Sequence, residues 1–443
     1  MVGLKKQIKS GQKIIAIYGL GNVGGPIAAA WLRKDATVIG VDISKDLLLN
    51  IKNNSSHKKE PYISETFTKG LRKKKFSLTT DGVKASMLST IKFVAVPVDI
   101  KQNKINLNAL VSATTAISKG LKKGHTVVIC PSLPPGTTEK LVKQILEKHS
   151  KLKVEKDFNL IYNPERIFEG RALQDIEENY PAIVSGYGPK SLKFADELLK
   201  IISKKGTLKM TSLANAEAEK LFEGVYRDVN IALANELSEY CEQIGVNYWD
   251  ARKGANSQPY CHLHYPGTGV GGLCIPVYPK FVIESSKKIG KHVKLIEYSR
   301  KINDQKPKKC VQDALSLFKN NVKGIKVAVL GLGFRGEVTD SRLSPTYTVV
   351  NELLKKQCNV IVHDPYIFED NILPKNVILT KNLSEAMSEV DLIFISADHN
   401  IYKKLNEKLL KKAKKSTVIF DGRNILNETF FKNTSILTVG KRN

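Results

Sequence analysis

The sequence predicts an α/β protein in which two sheet domains are joined by a long central helical domain. Two buried-strand runs, Lys13–Tyr18 and Lys323–Leu330, are each followed at once by a glycine turn. Between these repeats, residues 214–245 carry apolar positions at helical spacing without a proline. Strand runs that alternate with helical stretches are typical of a parallel sheet with crossover helices. Both sheet domains are therefore predicted to be Rossmann-like, of the dinucleotide-binding type.

The individual elements follow from local patterns. A helix over Pro26–Lys34 follows the first glycine turn, the central helix ends at Gly245, and further helix reaches about residue 305. The pattern predicts domains at 1–210, 211–310 and 311–443. The strand runs are Lys13–Tyr18, Thr37–Val41, Ile91–Val98, Thr126–Cys130, Leu160–Tyr162 and Ala182–Gly186 in the first domain, and Lys323–Leu330 and Val360–His363 in the last.

Composition limits the class of protein. A chain of 443 residues is too long for a single hydrophobic core, so two or three domains are expected. No apolar stretch approaches the length of a membrane span. Six cysteines without paired spacing favour a reducing compartment, and the N-terminus has no signal-peptide pattern, so we expect a cytoplasmic protein. The net charge of +27 is compatible with a nucleic-acid partner. Because the basic residues are spread along the chain, solvated lysine faces are the favoured interpretation, and we expect no nucleic-acid partner.

The first glycine turn predicts a cofactor site. Gly19 permits a tight turn, Gly21 lets the backbone approach a pyrophosphate, and Gly24 permits close packing of the helix on the strand. Asn22 and Val23, between these glycines, are expected to contact the cofactor as well. Asp42 ends the second strand, where a carboxylate accepts from ribose hydroxyls and repels a 2′-phosphate. The expected cofactor is NAD, and no metal site is expected.

The second glycine turn, Gly331 to Gly336, has the same glycine spacing. By pattern alone it predicts another dinucleotide site. The bulky Phe334 and charged Arg335 between the glycines are equally compatible with a different phosphate ligand, such as the diphosphate of a sugar nucleotide. A purely structural turn remains a third interpretation.

Motifs along almost the whole chain resemble the UDP-glucose/GDP-mannose dehydrogenase family. They are Gly19–Pro26, Asn163–Arg166, Glu219–Glu236, Pro266–Pro276, Arg300 with Asn303 and Pro307, Phe334–Pro345 and Asp421–Asn424. The form Gly-Gly-x-Cys-Ile-Pro is most similar to the UDP-N-acetylhexosamine branch of that family. The resemblance implies oxidation of a C6 hydroxyl by two NAD through a thiohemiacetal and a thioester on a cysteine.

The resemblance also implies roles for single residues. Cys274 is the nucleophile, Lys220 stabilises oxyanions, Glu165 guides the hydrolytic water, and Ser132 offers a hydroxyl to water or cofactor. Their alternatives are a small buried thiol at 274, a solvated lysine and a loop salt bridge. The implied substrate-binding residues are Arg166, Ile167, Lys220, Arg227, Gly271, Phe334, Arg335 and Arg342. For the arginines, a structural ion pair is the competing interpretation.

Several positions depart from the residue types that the resemblance implies. Gly224 stands where an asparagine is expected four residues after Lys220, and Tyr278 where an aspartate is expected four residues after Cys274. A phenol, with a reference pKa near 10, is a poor general base at neutral pH. Leu273 replaces a histidine, Tyr260 an arginine, and Arg335 a lysine with the charge retained.

Three hypotheses follow from these observations. The first is an active nucleotide-sugar dehydrogenase with a UDP-sugar substrate and a rebuilt pocket. The second is a paralogue that binds NAD and nucleotide sugar without completing the oxidation. The third, a nucleic-acid binder, depends on charge alone. For either of the first two, the resemblance implies a homodimer or higher homo-oligomer built on the central helix.

Overall fold

A computed structural model describes residues 3–57, 60–101, 104–318 and 321–441. The chain divides into two compact units, residues 1–222 and residues 223–443, here called the N-terminal and the C-terminal unit. None of the helices in these ranges is both long enough and apolar enough to cross a membrane.

The N-terminal unit contains an eight-stranded sheet and a two-stranded hairpin. The strands are β1 (Ile15–Tyr18), β2 (Val38–Val41), β3 (Phe76–Thr79), β4 (Ile91–Val94), β5 (Asp99–Lys101), β6 (Lys104–Asn106), β7 (Thr126–Ile129), β8 (Asn159–Tyr162), β9 (Ala182–Gly186) and β10 (Thr207–Lys209). The order in the large sheet is β10-β9-β8-β7-β4-β1-β2-β3, and β5 pairs with β6. All four residues of β1 are buried because helices cover both faces of the sheet.

The helices of this unit cover two apolar cores, one on each face of the sheet. They are α1 (Leu4–Lys9), α2 (Gly24–Arg33), α3 (Lys45–Lys52), α4 (Ile63–Arg72), α5 (Gly82–Leu88), α6 (Asn108–Gly120), α7 (Lys143–Ser150), α8 (Ala172–Gln174) and α9 (Pro189–Leu199), with π-helical turns at Thr138–Val142 and Asp175–Asn179. Ile15 and Ile17 belong to one core, and Ala16 and Tyr18 to the other, as the two-residue period of a strand requires.

One strand departs from the predicted parallel arrangement. β9 pairs antiparallel with β8, whereas β10 is parallel to β9. An antiparallel neighbour begins at the edge where the preceding strand ends, so residues 163–181 remain at one edge and no crossover helix is needed. The strand at Ala182–Gly186 was predicted at the correct position with the wrong direction, because periodicity carries no information on polarity.

Helix α10 (Leu213–Ile244) is the central helix that the sequence predicts at 214–245. It ends before Gly245, whose φ of +72° is the left-handed conformation common after a helix C-terminus. Three helices follow: α11 (Tyr248–Ala255), α12 (Tyr278–Lys288) and α13 (Lys294–Leu315). Helix α13 runs about ten residues beyond the predicted end, through Pro307 in its interior.

The sheet of the C-terminal unit is entirely parallel. Its strands are β11 (Lys326–Leu330), β12 (Asn359–His363), β13 (Ile378–Thr380), β14 (Leu392–Ile395), β15 (Val418–Asp421) and β16 (Ile436–Thr438), in the order β13-β12-β11-β14-β15-β16. Helices α14 (Pro345–Lys355) and α15 (Leu383–Ala386) and 3-10 turns at Tyr402–Lys404, Leu409–Lys412 and Glu428–Phe430 complete it. With this second sheet, the predicted fold class is confirmed.

Candidate active site

The first glycine turn has the geometry of a phosphate cradle. Gly19 has a φ of +87°, and a Cβ there would lie 2.7 Å from the Ala95 carbonyl oxygen. A Cβ on Gly24 would collide with the Gly19 carbonyl oxygen, whereas a Cβ on Gly21 would meet nothing within 4 Å. The backbone is therefore crowded at the turn and at the first residue of α2, and open at Gly21. These residues fit a dinucleotide pyrophosphate at the helix N-terminus.

Asp42 lies at the carboxyl end of β2, beside this turn. Its Oδ2 accepts a hydrogen bond from Leu20 N–H at 2.8 Å, and its Oδ1 accepts one from Ser44 N–H at 2.9 Å. These bonds fix the carboxylate at the turn, and each oxygen keeps a lone pair for a ribose hydroxyl. Asn22 is exposed and Val23 is half-buried, so both are accessible to a ligand.

His57 is a residue at this turn that the sequence did not indicate. Its Nε2 lies 3.3 Å from the Gly21 carbonyl oxygen, and a Cβ on Gly25 would collide with its ring. Burial is the main cause that lowers the pKa of His57, which favours the neutral ring. A contact between residues more than thirty positions apart leaves no local pattern, so only the tertiary structure reveals it.

The residues Ser132, Glu165, Arg166, Ile167 and Lys220 are the other predicted site residues of the N-terminal unit. Ser132 follows β7 and is half-buried. Arg166 N–H donates to the Glu165 carboxylate at 2.8 Å. Burial raises the pKa of Glu165 to about 7, against the backbone hydrogen bond of Arg166 and the positive charges of Lys220 and Arg166, which lower it. The pKa of Glu165 thus lies in the range expected of a general base that works near neutral pH.

A cavity of about 30 Å³ lies beside Glu165, lined also by Asn163, Arg166 and Tyr180. This volume is sufficient for one water molecule. The Arg166 guanidinium lies 4.7 Å from the centre of the Tyr180 ring and donates to the Pro181 carbonyl oxygen. Arg166 therefore has structural partners, while Ile167 is half-buried against the core. Lys220 is buried on α10.

Cys274 is exposed in a glycine-rich loop of the C-terminal unit. Its carbonyl oxygen accepts from Val277 N–H at 3.1 Å and from Tyr278 N–H at 2.9 Å, so the residue lies one turn before α12. The Tyr278 hydroxyl donates to Cys274 Sγ at 3.3 Å. Its exposure does not fit the alternative of a small buried thiol at position 274.

The cysteine loop packs on the second glycine turn within the same unit. A Cβ on Gly271 would lie 2.6 Å from Phe334 Cβ and 2.7 Å from the Leu343 carbonyl oxygen. Gly272 N–H donates to the Arg342 carbonyl oxygen at 3.0 Å. Gly271, Phe334 and Arg342, three of the predicted substrate-binding residues, thus lie close together. The Arg342 guanidinium is held by Asp340, with Nε 2.8 Å from Oδ1.

The second glycine turn is lined by carboxylates. Asp364 Oδ2 accepts from Leu332 N–H at 2.8 Å and from Gly333 N–H at 3.0 Å, and Asp398 accepts from Gly336 N–H at 2.7 Å. The bond from Leu332 N–H to Asp364 matches the bond from Leu20 N–H to Asp42 in the first turn, but Gly24 begins helix α2, whereas the helix after Gly336 begins only at Pro345. The geometry therefore favours a role other than a second dinucleotide cradle.

The remaining predicted or replaced residues belong to the C-terminal unit, and most of them are exposed or half-buried. Arg227 is exposed on α10. The pKa of His264 is lowered mainly by the burial of its ring and next by the positive charge of Arg227. The Arg335 guanidinium lies 5.9 Å from the centre of the Phe334 ring. Leu273 and Tyr260 are exposed, whereas Gly224 is buried against the Tyr278 ring. In the described ranges, no group of three His, Cys, Asp or Glu side chains is arranged to hold a metal ion.

Family models match three segments of the chain. The NAD binding domain of the UDP-glucose/GDP-mannose dehydrogenase family matches residues 13–203, its central domain residues 214–305, and its UDP binding domain residues 328–428. The chain is 32% identical over 436 residues to a UDP-N-acetyl-D-mannosamine dehydrogenase of Methanococcus vannielii, with 97% of each chain covered.

Solved structures are similar over the same length. A UDP-D-ManNAc dehydrogenase from Pyrococcus horikoshii has a TM-score of 0.88 at 30% identity, covering 96% of this chain and 99% of that one. An NDP-N-acetyl-D-galactosaminuronic acid dehydrogenase from Methanosarcina mazei has a TM-score of 0.83 at 31% identity, covering 100% and 98%. The similarity thus spans all three matched segments.

Proposed function

The chain belongs to the UDP-glucose/GDP-mannose dehydrogenase family, and on that basis we propose that it oxidises the C6 hydroxyl of a UDP-N-acetylhexosamine to a uronate. It is an NAD-dependent UDP-sugar dehydrogenase by its NAD binding and UDP binding domains. The choice of sugar class is supported by relatives named for N-acetylmannosamine and N-acetylgalactosamine derivatives.

The observation that carries the proposal is the exposed Cys274 thiol, one turn before α12 in a loop of glycines. NAD, when bound, supplies the hydride acceptor for both oxidation steps. The Cys274 thiolate attacks the C6 aldehyde and forms a thiohemiacetal. Oxidation of this thiohemiacetal leaves a thioester between Cys274 and the sugar. Sulfur suits both roles because it is a strong nucleophile and, as a thiolate, a good leaving group.

Lys220 and Glu165 are proposed for the remaining steps, in the roles that the family resemblance implies. The Lys220 ammonium is the charge that stabilises oxygen anions at C6. Glu165, with a pKa raised to about 7, accepts a proton from the water that releases the uronate from the thioester. Ser132 offers a hydroxyl for water or cofactor. Arg227, Arg335 and Arg342 are proposed as contacts to the sugar nucleotide, since guanidinium groups pair with diphosphates.

A panel of UDP- and GDP-sugars, followed by NADH absorbance, tests this function. We expect about two NADH per sugar consumed with one or more UDP-N-acetylhexosamines. Cys274→Ala should abolish NADH production, whereas Cys261→Ala, at a half-exposed cysteine of the same unit, is the matched control. NADH production that survives in Cys274→Ala contradicts the thioester route.

A second candidate function is binding of NAD and nucleotide sugar without completed oxidation. It is favoured by the replacements at Gly224 and Tyr278, which remove an amide and a carboxylate expected from the family resemblance. Thermal stabilisation by NAD and by a UDP-sugar, with no NADH formed across the panel, would select this function over the first.

We also propose a homodimer that is built on α10. Tyr226, Leu233, Tyr240 and Ile244 are exposed large apolar residues of this helix. Their spacings of seven, seven and four residues place them on one helix face. An exposed apolar stripe marks an interaction surface. Light scattering after gel filtration should give twice the mass of the chain, and Tyr240→Glu should shift the equilibrium towards monomer.

A further inference from the structure

Tyr278 contacts both Gly224 and the thiol of Cys274. The Tyr278 ring is buried, and its hydroxyl donates to Cys274 Sγ at 3.3 Å. We propose that Tyr278 is a catalytic residue that stabilises the Cys274 thiolate by this hydrogen bond, and that Gly224 is the replacement that admits its ring. The inference rests on the proposed function for the role of Cys274 as the nucleophile.

The packing of Gly224 shows why the two replacements occur together. A Cβ at position 224 would collide with Tyr278 Cδ2 and would lie 3.1 Å from both Cβ and Cγ of that residue. Tyr278 Cβ and Cγ lie next to the backbone and not at the far end of a flexible side chain, so they cannot move away without a shift of the whole ring. Any side chain at position 224 therefore displaces the ring, and with it the hydroxyl at Cys274.

The position of Gly224 in the sequence supports the same inference. It lies inside the 32-residue helix α10, where glycine costs about 1 kcal/mol of helix stability relative to alanine. A glycine in such a place indicates close packing by another group. Here the group is the ring that carries the donor to the nucleophile, 54 positions later in the chain.

The chemistry of a phenol differs from that of a carboxylate at this place. An ionised aspartate accepts hydrogen bonds only and repels a thiolate, whereas a phenol is neutral at pH 7 and donates its O–H. The Cys274 S–H bond breaks with transfer of the proton to solvent, to which the residue is exposed, and the Tyr278 O–H bond stays intact. The same donor stabilises the thiolate again when the thioester C–S bond breaks.

Geometry at the helix terminus makes the donor well positioned. Tyr278 N–H donates to the Cys274 carbonyl oxygen at 2.9 Å, so the two side chains are four residues apart on one helical turn. The ring is wedged against Gly224 and Phe281, the latter with ring centres 6.4 Å apart. A rigid ring holds the hydroxyl at the sulfur with little loss of side-chain entropy on binding the substrate.

Alkylation of Cys274 by iodoacetamide tests the donor without substrate or cofactor. Tyr278→Phe keeps the ring and removes only the hydroxyl, so a purely structural role predicts no change. We expect alkylation at pH 7, followed by peptide mass spectrometry, to slow by about threefold to fourfold, with the rate profile displaced to higher pH. Tyr298→Phe, at an exposed tyrosine of α13, is the matched control. An equal or faster rate in Tyr278→Phe overturns the proposal.

A double-mutant cycle tests the link to Gly224. Gly224→Ala should lower Tm by about 2–4 °C in the parent chain because the new methyl collides with the ring. In the Tyr278→Ala background the same change should lower Tm by less, because the ring atoms are gone and only the Cβ of residue 278, 3.1 Å from the new methyl, remains. Equal shifts of Tm in the two backgrounds overturn the coupling.

The two failures can be told apart. If no sugar is oxidised but Tyr278→Phe still slows alkylation, the proposed function fails and the hydrogen bond stands. If Cys274→Ala abolishes oxidation while Tyr278→Phe leaves alkylation and kcat unchanged, the function stands and Tyr278 is not a catalytic residue.

Discussion

Lys92 Nζ lies 2.5 Å from His125 Nδ1 in the interior of the N-terminal unit. His125 Nδ1 also accepts from Lys122 N–H at 3.1 Å, so this nitrogen is an acceptor and the neutral ring carries its proton on Nε2. Burial is the main cause that lowers the pKa of Lys92 to about 6 and that of His125 to about 3. Lys92 has no accessible surface, and its lowered pKa means that the neutral amine is the favoured form in the folded protein at pH 7.

This pair predicts a pH-dependent stability. The folded pKa of Lys92, about 6, lies below its ordinary value of 10.5. Between these values the unfolded chain binds more protons, so the free energy of unfolding rises with pH. Lys92→Met should raise that free energy by about 1–3 kcal/mol at pH 7 and flatten its pH slope, partly offset by the lost bond to Ser89.

Urea unfolding at pH 6, 7 and 8 measures both effects. Lys84→Met, at an exposed lysine of α5, is the control and should leave the slope unchanged. A Lys92→Met protein with the pH slope of the parent would show that Lys92 is charged in the folded state.

Glu165 predicts the pH dependence of turnover. Because its pKa is raised to about 7 and the base must be ionised, the hydrolytic step should slow as the pH falls through 7. Glu165→Gln should reduce kcat by about 10²–10⁴ and let the thioester accumulate on Cys274, visible in the intact mass of the acid-quenched protein. Glu178→Gln, at an exposed carboxylate paired with Lys204, should leave both unchanged.

Asp42 predicts the selectivity for NAD. Asp42→Asn removes the charge that repels a 2′-phosphate and one acceptor for ribose hydroxyls, so the KM for NAD should rise by about tenfold while the preference over NADP narrows. Initial rates with both cofactors measure the ratio. Asp46→Asn, in the first turn of α3, is the control. An unchanged cofactor ratio would argue against a ribose at Asp42.

The close packing of Gly271 predicts that a side chain at this position will displace the cysteine loop and lower activity. Gly271→Ala places a methyl against Phe334 Cβ and the Leu343 carbonyl oxygen, so the loop must shift and kcat should fall by about 10²-fold. NAD binding, measured by fluorescence titration, should be retained. Gly254→Ala, in α11 with nothing within 4 Å of the new methyl, should stabilise the protein by about 0.5–1 kcal/mol. Full activity in Gly271→Ala would mean that the loop position is unimportant.

Much of the fold and part of the site were predictable because they depend on neighbours in the chain. β1 begins two residues inside its predicted run, and α10 begins and ends within one residue of its prediction. The turn from Gly19 to Gly24 is a local conformation, so residue types alone indicate it. The direction of β9 and the extension of α13 past Pro307 were not predictable, because tertiary pairing and packing decide them.

The sequence by itself determined the fold class and the glycine turns, since strand burial and turn conformation are local properties; through the family resemblance it also predicts Cys274 as the nucleophile. Only the tertiary structure decided that Gly224 packs against the Tyr278 ring and that Asp364 and Asp398 accept from amides of the second glycine turn. The physical reason is that steric exclusion and hydrogen bonding act between atoms in contact, and folding brings together residues that are tens of positions apart.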